Sequence, residues 1–256
     1  LRNELSFRQI EYATLVGKDF KIIVNANKNR TGQVFNPNNL VSEALKKQKQ
    51  IKTSEIISAK ELQSEAPPLY FQGSNQDNLI RYTVTPVKDP ETGSLIGALI
   101  SGDIVNNKSS IVTNALKPFQ SGYNAVYQRS SDGQLTVASS INLLPGIELN
   151  KAQFGYTISD RSFLQAVAIA KGKEITKRLK VGGETYTVAA KSINNAKDEP
   201  VGIIVRGTSE YQLNQLLKNS LLLQVLIGGL AIGKDFLLAF LLGKVIVDPV
   251  EKLKKN

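Results

Sequence analysis

The chain of 256 residues contains no cysteine, histidine, methionine or tryptophan. Without cysteine it can form neither disulfides nor zinc–thiolate sites, and it has no thiol nucleophile. Without histidine it lacks the commonest metal ligand and the commonest general base, and it has no phospho-accepting histidine. The sequence also shows no glycine-rich phosphate loop and no cluster of metal ligands. We therefore expect a protein that is not an enzyme, with no catalytic residues, no metal and no cofactor.

The net charge of the chain is +10, and a basic balance can indicate nucleic acid or another anionic partner. The basic residues are scattered, however, and the densest short run, Lys46–Lys49, falls on a predicted amphipathic helix. No nucleic-acid motif accompanies them, so the charge indicates a solvated surface and no nucleic-acid partner. A chain that begins at Leu1 without methionine is expected to be a fragment, which leaves room for a first membrane helix upstream.

A long apolar run, Ser220–Val247, lies near the end of the chain. About 20 apolar residues suffice to cross a bilayer, and the run has no polar stripe, so it predicts a transmembrane helix. Three lysines within residues 252–255 predict a cytoplasmic end. Lys234 and Asp235 favour the alternative, a long buried core helix, because ionisable groups are costly in the bilayer. If the run spans the membrane, the two could partly neutralise each other or face a partner helix.

The chain before this run contains two similar halves. Segment 96–103 (IGALISGD) recurs as segment 201–208 (VGIIVRGT), with both glycines in register. Asp103 of the first copy is replaced by Thr208 in the second. In each half an alternating strand and a polar turn precede this segment, which predicts an antiparallel hairpin.

Each half is predicted to form two strands, a helix and three further antiparallel strands, which makes an α+β unit with a helix on one side of a sheet. In the first half these are strands 12–16 and 21–25, a helix capped by Asn38, and strands 53–58, 79–87 and 95–105. In the second half they are strands 123–129 and 134–139, a helix 162–170 with Asp160 as its cap, and strands 174–181, 185–192 and 200–207. Gly182 and Gly183 predict a tight turn. Further helices are predicted over 1–11, 109–119 and 210–218.

The repeated unit with its Gly-x4-Gly-Asp strand resembles the Cache domain, a PAS-like extracytoplasmic sensor module. Two units in series, then a membrane helix and Asp248–Leu253 (DPVEKL), are similar to a double Cache sensor joined to a HAMP linker. The resemblance implies a bacterial methyl-accepting chemotaxis receptor or a sensor histidine kinase. Its expected parts are the end of an N-terminal helix (1–11), a membrane-distal unit (12–119), a membrane-proximal unit (120–209), a connecting helix (210–219), a transmembrane helix (220–247) and the start of HAMP (248–256).

In Cache modules the ligand, such as an amino acid, an amine or a carboxylate, usually binds in the membrane-distal unit. Asp103 occupies the position from which the last strand often supplies a partner for a ligand amino group. Arg81 could pair with a carboxylate through its planar fork, while Tyr70, Phe71 and Tyr82 could form apolar walls with polar tips. The alternative is that Arg81 and Asp103 form a structural salt bridge, since ion-pair networks gather the same residue types.

The sequence thus predicts the sensing region of a chemoreceptor in the bacterial inner membrane, with its sensor domain in the periplasm and its helix in contact with lipid. A small-molecule ligand would bind in the distal unit and signal through the helix to HAMP, and the protein would act as a homodimer. The second unit, where Thr208 replaces Asp103, is expected to couple motion without binding the main ligand. The alternatives are a histidine kinase ectodomain, or a structural, dimerising ectodomain that has no small ligand.

Overall fold

The computed structural model describes residues 1–67, 76–119, 121–242 and Lys244. The chain separates into two units, Leu1–Ser209 and Glu210–Asn256. The first unit contains two antiparallel sheets, one in each of the predicted repeats. We call residues 1–119 the first half and residues 120–209 the second half. The mixed helix-and-sheet architecture confirms the predicted fold class.

The first sheet has five antiparallel strands. They are β1 (Tyr12–Gly17), β2 (Ile22–Asn25), β3 (Ile51–Ile57), β4 (Asn78–Lys88) and β5 (Leu95–Ile104). Their order in the sheet is β2-β1-β5-β4-β3. Three helices precede or connect these strands: α1 (Arg2–Arg8), α2 (Leu40–Lys47) and α3 (Ala59–Glu65). Helix α2 packs on β4 and β5, so one face of the sheet is covered by a helix. We call this the helix face and the opposite side the open face.

Strand β4 shows how the sheet separates neighbouring residues. Ile80, Tyr82 and Val84 belong to the core cluster beneath α2, whereas the intervening Arg81 is exposed. Successive side chains of a strand point to opposite faces. Arg81 therefore lies on the open face, and Tyr82 lies on the helix face.

The start of α2 corrects one prediction. The helix begins at Leu40, and Asn36 Oδ1 accepts hydrogen bonds from the backbone nitrogens of Val41 (2.9 Å) and Ser42 (3.3 Å). Asn38 has a positive φ of 47°, a conformation that asparagine tolerates. Its side chain donates to Glu55 Oε2 at 2.7 Å. The prediction that Asn38 caps this helix was wrong, because its amide is directed to β3 while Asn36 satisfies the free helix nitrogens.

The second sheet has six antiparallel strands. They are β6 (Gly122–Arg129), β7 (Leu135–Leu143), β8 (Gln153–Phe154), β9 (Ile175–Val181), β10 (Glu184–Asn194) and β11 (Pro200–Ser209), in the order β8-β7-β6-β11-β10-β9. Helix α4 (Ser109–Leu116) packs on β6 and β7, and α5 (Arg161–Ile169) packs on β10 and β11. Asp160 Oδ1 accepts from Phe163 N at 3.0 Å, which confirms the predicted cap of α5. Gly182 and Gly183 form the predicted turn, both with positive φ.

The repeated glycines occupy equivalent positions in the two sheets. A Cβ on Gly97 would lie 2.1 Å from the carbonyl oxygen of Val16, and one on Gly202 would lie 2.4 Å from that of Tyr127. Both positions thus exclude any other residue type without movement of the backbone. The repeat that the sequence indicates in β5 and β11 is therefore also a repeat of structure, because both glycines lie against a carbonyl group of the neighbouring strand.

The two halves share a core and a set of hydrogen bonds. Leu79 and Val105 of the first half cluster with Val126 of the second, together with side chains from α4 and β7. Gln128 accepts from Leu79 N at 3.1 Å and donates to Asp77 O at 2.9 Å. A displacement at the end of β5 or the start of β4 would therefore disturb these contacts with the second sheet.

The second unit contains helix α6 (Tyr211–Leu242). Its segment Asn214–Leu242 has a mean hydropathy of 2.0, and none of its most apolar 18-residue window is buried. By length and composition the helix can cross a membrane, and its exposure differs from that of a core helix. Lys234 and Asp235 lie within it. The predicted HAMP segment, 248–256, lies outside the described residues.

Candidate functional site

Arg81 and Asp103 are directly opposite each other on β4 and β5. The Arg81 Nη2 atom forms an ion pair with Asp103 Oδ2. Both residues line a groove of about 500 Å³ on the open face, beside the hydroxyl-bearing residues Ser54, Thr83 and Ser101. The structure thus brings together the two charged residues that the sequence predicted.

Asp103 has a second cationic partner. Lys108 Nζ lies 2.5 Å from Asp103 Oδ1 and 3.0 Å from Glu11 Oε1. Glu11 is buried, and its other carboxylate oxygen accepts from Ile104 N at 2.8 Å. Burial raises the pKa of Glu11, although the hydrogen bonds from Ile104 and Lys108 oppose this. Two cations and two carboxylates therefore alternate along this network, which we call the open-face network (Arg81, Asp103, Lys108 and Glu11).

The accessible group in the open-face network is Arg81. Its side chain is 55% exposed, whereas Asp103 and Lys108 are each 14% exposed. A ligand can reach the guanidinium without rearrangement, but it reaches Asp103 only by exchanging with Arg81. Arginine binds carboxylates through a planar pair of N–H groups, so the exposed end of this network favours a carboxylate.

The remaining predicted site residues do not join this groove through their side chains. The ring of Tyr82 lies in the core on the helix face, with its centroid 6.3 Å from that of Tyr12. Tyr70 and Phe71 lie outside the described residues. The structure therefore separates the ring of Tyr82 from the Arg81–Asp103 pair with which it was predicted to act.

A second charged group, which the sequence did not reveal, lies in the first half. Arg30 is 5% exposed, and its Nη1 contacts Glu65 Oε2 at 2.6 Å and Glu61 Oε1 at 2.8 Å. Asn25 Nδ2 donates to both oxygens of Glu65, at 2.7 and 2.9 Å. We call these four residues the Arg30 cluster.

Helix α3 positions both carboxylates of the Arg30 cluster. Ser58 caps the helix by accepting from Glu61 N at 3.2 Å, and Glu61 and Glu65 follow at the i, i+4 spacing that places side chains on one helix face. Glu65 is fully buried, and burial raises its pKa above the ordinary value even though Asn25 and Arg30 oppose the shift. The site has two carboxylates and one guanidinium, and it therefore carries an excess of negative charge when both acids are ionised.

Two buried hydroxyl groups accompany this cluster. Tyr12 and Tyr82 are 0% and 2% exposed, and neither hydroxyl has a hydrogen-bond partner within the described part of the chain. Burial is the main cause of a raised pKa in both phenols, and the carboxylates of Glu61 and Glu65 add to it. Asn25 of the Arg30 cluster also donates to Thr14 Oγ1 at 2.9 Å. Thr14 lies two residues from Tyr12 on β1, so the cluster lies on the same face of the sheet as the two phenols.

The buried tyrosines of the second half differ in their hydrogen bonding. Tyr186 donates to Asn142 Oδ1 at 2.5 Å, Tyr123 donates to the carbonyl oxygen of Tyr156 at 3.0 Å, and the Tyr127 hydroxyl accepts from Ile158 N at 2.7 Å. The buried tyrosines of this core are thus hydrogen-bonded. Thr208, which replaces Asp103, lies exposed on β11.

The two sheets in series have the architecture of a double PAS-like domain. Residues 1–209 match the family described as "Double sensory domain of two-component sensor kinase" (dCache_3). The match covers most of the chain, and the chain belongs to this family of double Cache sensors. The resemblance that the Gly-x4-Gly-Asp strand indicated is thereby confirmed.

Solved sensor domains resemble the chain at low identity. The ligand-binding domain of the Campylobacter jejuni chemoreceptor Tlp3 with 4-methylisoleucine is 11% identical, and the match covers 84% of this chain and 71% of that one, with a TM-score of 0.41. That of the Pseudomonas aeruginosa amino acid chemoreceptor PctC with GABA is 16% identical (79% and 75% covered, TM-score 0.37). The sensor domain of the Vibrio cholerae histidine kinase DctB is 12% identical (80% and 75% covered, TM-score 0.38). No curated protein matches the chain.

Proposed function

We propose that the chain is the extracytoplasmic ligand-sensing region of a transmembrane chemoreceptor, and that it binds a small molecule in the groove on the open face of the first sheet. The ligand classes are an amino acid, an amine or a carboxylate. The observation that carries the proposal is the pairing of Arg81 with Asp103 at the wall of this groove. A guanidinium and a carboxylate side by side suit a molecule that has both charges.

The exposure of the two groups sets the order in which they act. Arg81 meets the carboxylate of the ligand first because it is the exposed member of the pair. The ligand ammonium group then replaces the guanidinium at Asp103, while Lys108 keeps its contacts with Asp103 and Glu11. An exchange of this kind leaves no buried charge without a partner, which is the condition for binding at low cost.

Lys108 links this groove to the second half. The segment that follows β5 contacts β7 directly, since Asn107 N donates to Ala138 O at 2.8 Å and Ser139 Oγ donates to Lys108 O at 3.2 Å. This segment can have more than one arrangement. A ligand that binds Asp103 more strongly in one of them shifts the conformational equilibrium toward that arrangement. The second half then acts as the coupling unit, and it is followed along the chain by α6, which begins at Tyr211.

The topology that completes this function follows from α6. A sensor domain of this family with a membrane-capable helix at its C-terminal side is membrane-anchored and periplasmic, with residues 220–247 crossing the inner membrane among its lipids. Residues 248–256 would then begin the HAMP linker, and the receptor would be a homodimer. Lys234 and Asp235 would face the partner helix, where they are shielded from the lipid.

Two other functions share part of this support. A histidine kinase ectodomain would use the same sensory unit, and the description of the family favours it as the closest alternative. A structural, dimerising ectodomain would have no small ligand, and the open-face network would then serve only to hold β5 against β1 and β4. Ligand binding separates this last function from the other two.

The test is a calorimetric titration of the full chain in detergent micelles with the amino acids and a set of organic acids. Wild-type protein is expected to bind at least one of them, and Asp103→Ala to weaken that binding about tenfold or more through loss of a charge-assisted hydrogen bond. Thr208→Ala, at the equivalent position of the second half, is the matched control and is expected to leave the affinity unchanged. Equal affinity in wild-type protein and Asp103→Ala would contradict the site, and the absence of any binding would favour the structural ectodomain.

A further inference from the structure

The second half has a cleft of about 180 Å³ between helix α4 and strands β6 and β11. We call it the α4 cleft. Its volume is well above the share of one water molecule in the liquid, about 30 Å³. An apolar cavity offers water too few hydrogen-bond partners, so the walls of this cleft suit a hydrocarbon group. Apolar residues from all three elements line it: Ile111, Val112, Ala115, Val126 and Ile204.

One charged residue, Arg206 of β11, is among the residues that line the α4 cleft. It is half-buried, and its Nη1 donates to Asn124 Oδ1 at 3.4 Å while its Nη2 donates to the carbonyl oxygen of Ser121 at 3.3 Å. The guanidinium lies over the ring of Phe119, 4.1 Å from the ring centroid. All three of these partners are neutral.

Arg206 has no anionic partner among the described residues. Burial lowers the pKa of Arg206, and in the described part of the chain no carboxylate opposes this shift. The buried Arg30 of the first half, by contrast, contacts two carboxylates. A guanidinium that is partly removed from water without a counter-ion is incompletely compensated. The cleft therefore favours an anion at the end where Arg206 lies.

The internal repeat shows that this arginine is particular to the second half. Segment 96–103 corresponds to segment 201–208, so Arg206 occupies the position of Ser101 in the first half. A glycine gives the guanidinium its room, since a Cβ on Gly122 would lie 3.2 Å from Arg206 Nη1 and 2.5 Å from the carbonyl oxygen of Gly207. The same strand position thus has a small hydroxyl in one half and an accommodated cation in the other.

We infer that the α4 cleft is a binding site for a short-chain aliphatic carboxylate, whose carboxylate group pairs with Arg206 and whose hydrocarbon chain lies against Val126 and Ile204. Arginine binds carboxylates through two parallel N–H groups. The buried Asn124 adds a further donor, because one N–H of its amide is directed to the carbonyl oxygen of Val112 at 3.3 Å and the amide has two.

The chemistry of the cleft excludes three other kinds of ligand. An amine would place a second cation beside Arg206. An alcohol of the same length would fill the apolar walls but leave the guanidinium without an anion. An amino acid would place its ammonium group among apolar side chains, where a charge without a partner is costly. The cleft thus selects a monocarboxylate with an apolar chain.

The α4 cleft is separate from the open-face groove, but the chain connects them. Helix α4 begins at Ser109, directly after Lys108 of the open-face network. A carboxylate bound between α4 and β11 stabilises one arrangement of this segment. The effect on signalling rests on the proposed function, in which the second half is the coupling unit, and the acid would modulate that coupling without replacing the ligand of the first half.

The experiment is a calorimetric titration of the full chain in detergent micelles with sodium butyrate, and with butanol and butylammonium chloride as probes of the same chain length. Titration into empty micelles gives the background. Butyrate alone is expected to bind. Arg206→Gln is expected to weaken this binding about tenfold or more through loss of a charge-assisted hydrogen bond.

A second variant fills the cleft and leaves its cation in place. Ala115 is exposed on α4 and lines the cleft, so Ala115→Leu is expected to fold and to reduce butyrate binding at least as much as Arg206→Gln. Circular dichroism verifies the fold of both variants. Unchanged affinity in either of them would overturn the inference.

Two control variants locate the binding. Arg129→Gln removes an exposed arginine of β6, and Arg81→Gln removes the guanidinium of the open-face groove. Both are expected to bind butyrate within about twofold of the wild type, because neither side chain lines the α4 cleft. Absence of butyrate binding, or similar binding of butanol or butylammonium, would overturn the inference. Loss of binding only in Arg81→Gln would assign butyrate to the open-face groove, which would overturn this inference and support the proposed function.

Discussion

The first and second sheets each hold two tyrosine rings on the helix side, with centroids 6.3 Å and 6.2 Å apart. In the second sheet Tyr123 and Tyr186 are hydrogen-bonded to groups of the same half. In the first sheet Tyr12 and Tyr82 have no such partners among the described residues. The two halves thus differ in whether their buried tyrosine hydroxyls are hydrogen-bonded, although the Ser140 hydroxyl of the second half is also buried without a partner among the described residues.

The charges follow the same division. In the first half Glu11, Glu55 and Glu65 are buried, each 2% exposed or less. In the second half the ion pair between Lys177 and Asp160 is near the surface, with side-chain exposures of 49% and 27%. Buried ionic groups are a cost that a fold retains when they have a function. Among the described residues, the first half therefore carries the larger electrostatic cost of folding.

The largest expected effect is on Arg30. Arg30→Met would leave the buried carboxylate of Glu65 without its cation, and this is expected to lower the free energy of unfolding by about 3–5 kcal/mol. Lys177→Met, which breaks the surface pair of the second half, is expected to have little effect. Chemical denaturation of the full chain in micelles measures both. Equal losses in the two variants would remove the distinction between a buried and a surface network.

A smaller effect is expected at the tyrosine hydroxyls. Tyr186→Phe breaks the bond to Asn142 and leaves that amide oxygen unpaired, which is expected to cost about 1–2 kcal/mol of stability. Tyr82→Phe removes a hydroxyl that has no partner, so its stability should equal or exceed that of the wild type. Thermal unfolding of the two variants compares the halves directly. A loss of stability in Tyr82→Phe as large as that in Tyr186→Phe would show that the Tyr82 hydroxyl also makes a stabilising hydrogen bond.

The smallest expected effect is the pH dependence of stability. Burial raises the folded-state pKa of Glu65, so the folded chain holds this proton more tightly than the unfolded chain. The contribution of Glu65, which faces Arg30, Asn25 and Glu61, is therefore lost as the pH rises above about 4.5, its ordinary pKa. Lys177 is the main cause of the lowered pKa of Asp160, whose contribution is present above its ordinary pKa of 3.8 and is lost as the pH falls below it.

Two variants separate these opposite dependences. Glu65→Gln is expected to flatten the stability profile above pH 4.5, and Asp160→Asn to flatten it on the acid side while the asparagine still caps α5. Denaturation midpoints between pH 3 and pH 7 give the profiles. If Glu65→Gln changes the stability profile only below pH 4.5, the proposed role of Glu65 is contradicted.

Much of the fold was predictable because its signals are local. The alternation in β4, the Gly182–Gly183 turn, the Asp160 cap and the apolar run of α6 each depend on a few neighbouring residues. The matching glycines of β5 and β11 also indicate the repeat without knowledge of how the strands pair. Their required closeness to a neighbouring carbonyl explains why the pattern was visible in both copies.

The polar sites were less predictable. Period-two alternation already implies that Arg81 and Tyr82 face opposite sides, and the predicted pocket that joined them disregarded it. Helix α3 was missed because seven mostly polar residues show no apolar stripe, although the i, i+4 spacing of Glu61 and Glu65 was present.

Long-range contacts and strand register were also beyond local signals. Glu11 and Lys108 meet only through the fold, 97 positions apart. Register matters as well, since Tyr82 lies opposite Gly102 whereas Tyr186 lies opposite Ser209 and not Gly207. Segments 82–84 and 186–188, which share the sequence Tyr-Thr-Val, are therefore displaced by two residues relative to the repeated glycines.

The central claim is that the sensed ligand acts on the first half of a double sensor and that the second half couples the response. Hydrogen–deuterium exchange of the full chain in micelles tests it most directly, with and without the amino acids, propionate and ethylammonium chloride. We predict that at least one of them slows exchange in β1, β4, β5 or α3 and produces no equal protection in β9 and β10. Protection centred on β9 and β10, or no change in either half with any of these molecules, would contradict the account.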